Sequence, residues 1–178
     1  AISIVVIFCF SSKIFNMIDS KTTIAKFAIR FIAFLSLNFL ALAVGGLFTG
    51  KGVPSEWYGN LARAPWEPPG WVFGAAWTTI MLLFAVFMSL AWGKVAKRKV
   101  LVRLYSIQWI LNILWNPLFF YMHWSGLALF EIVLLTILLA FITIYYWREM
   151  KWAVLLLSPY VIWLCIATSL NAYVFLYN

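Results

Sequence analysis

The sequence predicts an all-α integral membrane protein, a five-transmembrane-helix bundle with a long aromatic and proline-rich first loop. Three observations carry that prediction. Of the 178 residues, 66% are hydrophobic and 10% charged, against about 25% charged in a soluble domain, and the mean hydropathy is +0.99. Five apolar stretches, roughly 27–48, 70–92, 101–120, 125–147 and 152–176, reach the length of about 20 residues that a bilayer crossing requires. None of them alternates with period two, and all are too long for barrel strands, so each reads as a helix.

No polar linker is long enough to separate two units, so residues 27–178 read as one membrane domain and 1–26 as an N-terminal extension. The extension opens with "AISIVVIFCF", apolar but too short to span alone, followed by "SSK" and "NMIDSKTT". A signal or transit remnant, an interfacial segment and the end of a clipped longer helix all fit it. A targeting or interfacial role is expected rather than a sixth span.

The loops are short except the first, Lys51 to Pro69. Short connections imply antiparallel neighbours, hence an up-down bundle. Eleven of the thirteen basic residues then fall on one side: Lys13, Lys21, Lys26, Arg30, Lys94, Lys97, Arg98, Lys99, Arg103, Arg148 and Lys151. Lys51 and Arg63 stand on the other. The positive-inside rule makes the basic side cytoplasmic or its equivalent and turns the first loop away from it. The net charge of +8 is thus a topology and lipid-headgroup signal rather than a nucleic-acid one, and no nucleic-acid partner is expected.

Few residues offer chemistry. Cys9 and Cys165 share no CxxC spacing and read as small buried hydrophobes rather than a disulfide or metal pair. The sole histidine, His123, falls in a loop, which argues against axial haem ligation or imidazole catalysis. No Ser/His/Asp set, carboxylate pair or glycine-rich phosphate loop is present, so no catalytic or metal-binding residues are assigned and no cofactor is required. Glu131, two turns into the fourth span, is a functional candidate by position, although a hydrogen-bonded structural or interface role suffices for it.

Polar and aromatic residues inside the spans form stripes. Gln108, Asn112, Trp115 and Phe119 recur at i, i+4, i+7 and i+11 on the third, with Asn116 at the edge and Pro117 predicting a kink. Tyr160, Trp163, Ala167 and Asn171 share a face of the fifth, where Pro159 is expected to bend the start. Phe73, Trp77 and Phe84 have compatible spacing on the second. Either the amides bond across helices while the aromatics fill the bundle, or the faces converge on a cleft for a large flat ligand.

The first loop runs into the second span as "WYGNLARAPWEPPGWVFGAAW", residues 57 to 77. It resembles the tryptophan-rich sensory protein family, also called translocator proteins or peripheral-type benzodiazepine receptors. Trp57, Tyr58, Leu61, Trp66, Pro68, Pro69, Trp71, Phe73 and Trp77 match the family pattern in register. Arg63 replaces its lysine, and Ala64 stands where proline is usual, with Pro65 one place later. "QWILNILWNPLFF" and "SPYVIWLCIATSLN" are similar to the family's third- and fifth-helix signatures, and Glu131 stands where many members carry aspartate. The resemblance covers about residues 34 to 178 in three ordered motifs.

It implies a five-helix membrane fold that binds porphyrins, related tetrapyrroles and benzodiazepine-type ligands in a cleft beneath the first loop, with protoporphyrin IX or haem as ligand. Carried over by position, Trp77 and Gln108 would donate hydrogen bonds to the ligand's polar edge. Asn112, Trp115, Phe119 and Trp163 would line the cleft, Tyr58 and Trp66 would enter from the loop as a lid, and Ala167 would keep the fifth-helix wall open. Roles in tetrapyrrole sensing, sequestration or transport, and in stress response, follow.

Two alternatives stand beside it. One is a light- and oxygen-dependent protoporphyrin-degrading enzyme in which Trp77 and Trp163 supply electrons. The other is a membrane interaction scaffold using the basic loop from Lys94 to Arg103. The family's cholesterol pattern ends on a basic residue, which "LNAYVFLYN" lacks, so specific cholesterol binding is not expected there. A homodimer is compatible with the sequence, but no seam is assigned.

Overall fold

A computed structural model describes residues 21–178; the expected roles of the segment before them lie outside the described residues. The described chain is helical, without strands. Helix α1 spans Lys21–Gly52, α2 Glu56–Asn60, α3 Gly70–Lys94 and α4 Arg98–Asn116. A π-helical turn, Pro117–Tyr121, extends α4. Helix α5 (Ser125–Tyr145), the short α6 (Trp147–Met150), a 3₁₀ segment Lys151–Leu157 and α7 (Ser158–Tyr177) complete the chain.

Among the described residues, four stretches are long and apolar enough to cross a membrane: Thr23–Gly52, Gly70–Lys94, Ser125–Tyr145 and Trp147–Tyr177. Helix α4, expected to cross at 101–120, is not among them. It starts earlier than expected, so Arg98 and Lys99 belong to the helix rather than to the loop. With Arg103, Gln108 and Asn112 on the same helix, its mean hydropathy falls although Gln108 and Asn112 are buried within the bundle.

The long helices close into a ring. Helix α1 packs on α3 and α4, α4 on α5, α5 on α7, and α7 with its 3₁₀ lead returns to α3. Inside lie Ile80, Phe84 and Phe87 of α3, Leu135 and Leu139 of α5, and Tyr160 and Leu164 of α7. Outward stand Ile29, Ile32, Ile107, Ile110, Ile137, Ile144 and Ile162, a surface suited to lipid rather than water. Cys165 is exposed on that outer side, correcting the expectation of burial in the protein; its apolar setting is the outer face of α7.

Proline and glycine set the local geometry. Pro117 cannot donate a backbone hydrogen bond, and the ladder widens there: Met122 N–H reaches the Pro117 carbonyl at 2.9 Å. The kink expected at Pro117 is this π turn. Pro159 sits in the first turn of α7, where its missing N–H costs nothing, just after the 3₁₀ segment. Gly52 lets α1 pass the π turn, since a Cβ there would fall on the Phe120 ring.

Candidate ligand-binding site

The site is built around Tyr160. Its hydroxyl accepts hydrogen bonds from Gln108 Nε2 at 2.7 Å and Asn112 Nδ2 at 2.6 Å, so the amide stripe of α4 turns towards α7. Trp77 of α3 meets the Tyr160 ring edge-on at 5.8 Å. Phe73 meets Trp163 in the same manner at 5.2 Å. Helices α3, α4 and α7 therefore bring Trp77, Gln108, Asn112, Tyr160 and Trp163 into one layer, with Ala167 packed against the same core.

Next to it lies a second aromatic cluster. Trp115 stacks on Phe119 at 4.9 Å, and its indole N–H donates to Asn171 Oδ1 at 2.9 Å. Asn171 Nδ2 donates in turn to the Ser125 carbonyl at 2.9 Å, tying α4, α5 and α7 together. Trp115 packs against both clusters and so joins them.

The first loop fastens over this end at two places. Ser55 starts α2 by accepting the Tyr58 N–H at 3.2 Å while donating to the Gly52 carbonyl at 2.6 Å. That short helix holds Trp57 against Phe119 and flat on His123, with ring centroids 5.5 and 4.0 Å apart, and Tyr58 against Phe120. Further on, Trp66 Nε1 donates to Ser169 Oγ at 3.1 Å, and its ring meets Tyr173 edge-on. The Asn178 amide clasps both the N–H and the carbonyl of Ala62.

Electrostatics within the loop are local. Tyr58 donates to Glu67 Oε1 at 3.1 Å, and Arg63 pairs with the same oxygen at 3.7 Å. Burial and then the Glu67 carboxylate hold the Tyr58 phenol above its ordinary pKa, with Arg63 opposing.

Of the residues expected at the site, Trp77, Gln108, Asn112 and Trp163 share the Tyr160 layer, and Trp115 and Phe119 stack beside it. Tyr58 and Trp66 anchor the loop at its two separate places instead of meeting in the layer. Gln108, Asn112 and Trp163 are only 3%, 7% and 6% exposed, so the amides bond across helices and the rings pack together. Tyr160 and Asn171, stripe residues without an expected ligand role, are the hubs. Glu131 is 3% exposed, with neither carboxyl oxygen hydrogen-bonded among the described residues.

Comparison with known proteins places the chain in a family. The TspO/MBR family pattern matches residues 33–176. A tryptophan-rich sensory protein of Cereibacter sphaeroides is 37% identical over 77% of this chain and 87% of its own length. The translocator protein of Homo sapiens is 34% identical over 74% and 80%. The tryptophan-rich protein TspO of Archaeoglobus fulgidus is 32% identical over 87% and 98%. With this match across most of its length and its membrane-crossing helices, the chain is a multi-pass integral membrane protein and belongs to the TspO/MBR family.

Proposed function

We propose that this chain is a membrane-embedded binding protein for porphyrins and related tetrapyrroles, also open to benzodiazepine-type ligands, acting in their sensing, sequestration or transport and in stress response. The observation that carries the reading is the layer where α3, α4 and α7 meet. It combines indole and phenol faces with a small set of fixed amides, the mixture that grips a large flat ligand while orienting its polar edge. Gln108 Oε1 is buried without a partner among the described residues, which leaves it an acceptor for a ligand N–H. The loop over this end is held by side-chain contacts that a ligand can displace.

On this reading α4 is the fifth crossing. With its π turn it runs unbroken from Arg98 to Tyr121 between two membrane-crossing helices. Its amides are buried in the bundle, and its cations stand near one end, where they reach the headgroups. Between Arg103 and the π turn the one exposed polar side chain is that of Ser106, whose hydroxyl can bond a carbonyl of the preceding helical turn.

The test is tryptophan-fluorescence titration of the purified protein with protoporphyrin IX, comparing Trp77→Phe and Trp163→Phe with wild type. Saturable quenching weakened about 3- to 10-fold in each variant is expected from the loss of indole contact area. Non-saturable quenching, or equal affinity in all three proteins, would assign the porphyrin to the lipid phase or to another surface.

A further inference from the structure

At the opposite end of the bundle from the first loop, α3 finishes at Lys94 and α4 begins at Arg98. Between them lies an open groove of about 390 Å³ lined by Trp92, Arg98, Lys99, Val102 and Arg103. Three of those five residues are cations and none is an acid. Arg30 of α1 stands close by without lining the groove, its guanidinium 2.9 Å from where a Cβ on Gly93 would stand. The indole of Trp92 is steadied by Phe34, with ring centroids 5.9 Å apart.

These cations are not neutralised within the described residues, where the one ion pair is Arg63–Glu67 at the other end. Glu149 accepts the Ala96 N–H at 3.1 Å and so is turned to the backbone. Lys99 and Arg103 stand at i, i+4 on α4, where like charges repel. The groove therefore has charge that calls for an anion and, in Trp92 and Val102, an apolar wall beside it. It also sits where a membrane-crossing helix ends, at the level of lipid headgroups.

We propose that this groove binds one anionic phospholipid, with its phosphate held among Arg98, Lys99 and Arg103 and its acyl chain laid along Trp92 and Val102. A free phosphate would use the cations and leave that wall uncovered. An orienting charge cluster would depend on the number of cations near the membrane and not on this groove.

The test is native mass spectrometry of the delipidated full chain with dioleoyl-phosphatidylglycerol, dioleoyl-phosphatidylcholine and glycerol 3-phosphate. One retained phosphatidylglycerol per chain is expected, preferred about tenfold over the zwitterionic lipid and not displaced by glycerol 3-phosphate. Arg98→Gln and Arg103→Gln, both on the exposed face of α4, are expected to weaken it by a similar factor. Lys26→Gln, an exposed cation of α1 outside the groove, is expected to leave it unchanged. Three results would overturn the assignment: no preference for the anionic lipid, equal weakening by Lys26→Gln, or displacement by glycerol 3-phosphate.

Discussion

Asn112 Nδ2 donates to the Tyr160 hydroxyl at 2.6 Å, and Gln108 Nε2 reaches the same oxygen at 2.7 Å. One phenol on α7 thus satisfies two buried amides from successive turns of α4. Tyr160→Phe keeps the ring contacts with Trp77 and Phe84 but leaves both donors without this acceptor. A loss of about 2–4 kcal/mol is expected from two unmet buried bonds, read by unfolding in mixed micelles.

Close passage of α1 over the π turn gives a second prediction. The missing side chain at Gly52 is replaced by the Phe120 ring, and the contacted atoms include Phe120 Cβ, which cannot swing away. Gly52→Ala is therefore expected to destabilise by about 1–3 kcal/mol. Gly59→Ala, with open space around its Cβ, is its control. Thermal melts of the two variants check this.

The loop has a pH limit with a defined sign. Tyr58 has a pKa raised by burial and by Glu67, so the folded loop favours the protonated phenol. The stabilisation is fully present below the unfolded value of about 10 and is lost as pH rises through the folded one. Docking of the loop, followed by a spin label on Gly59→Cys, an exposed position with open space around its Cβ, in a variant without Cys9 and Cys165, is expected to hold at neutral pH and to loosen in alkali. Tyr58→Phe is expected to remove that alkaline step.

Backbone strain gives a fourth. Lys151 has φ 51° at the start of the 3₁₀ segment, directly after α6, a region that side chains rarely adopt. Lys151→Gly is expected to stabilise by about 1 kcal/mol, seen as a higher melting temperature. His123 also has a positive φ, of 57°. There glycine would forfeit the stacking on Trp57, so no comparable gain is expected.

Much of this was legible in the sequence. Apolar length and the absence of alternation placed the long helices, and the spacing of Gln108, Asn112 and Trp115 put them on one face before any partner was known. Pro117 announced a break in α4, but the π form depends on how Phe119 and Phe120 pack beneath α2. The tryptophans of the first loop announced an aromatic cover. That Trp66 would fasten to Ser169, and Asn178 to Ala62, was not readable, because those pairs are far apart in sequence and serines and asparagines have no periodic signature. Asn38 was missed for the same reason: a lone amide in α1, it accepts from Tyr105 at 2.9 Å and donates to the Met81 carbonyl at 3.0 Å. At α4 the two measures part: 101–120 is long enough for a crossing, yet its amides and cations keep it out of the four apolar spans among the described residues.

A tetrapyrrole that enters the Tyr160 layer beneath the first loop would change the protection of the backbone around it. Hydrogen–deuterium exchange of the protein in nanodiscs, with and without saturating protoporphyrin IX, tests it most directly. Altered exchange is expected in residues 53–69 and in the parts of α3, α4 and α7 around Trp77, Asn112 and Trp163. Exchange that changes only near the outward faces of Ile110 and Ile137, or nowhere along the chain, would contradict it.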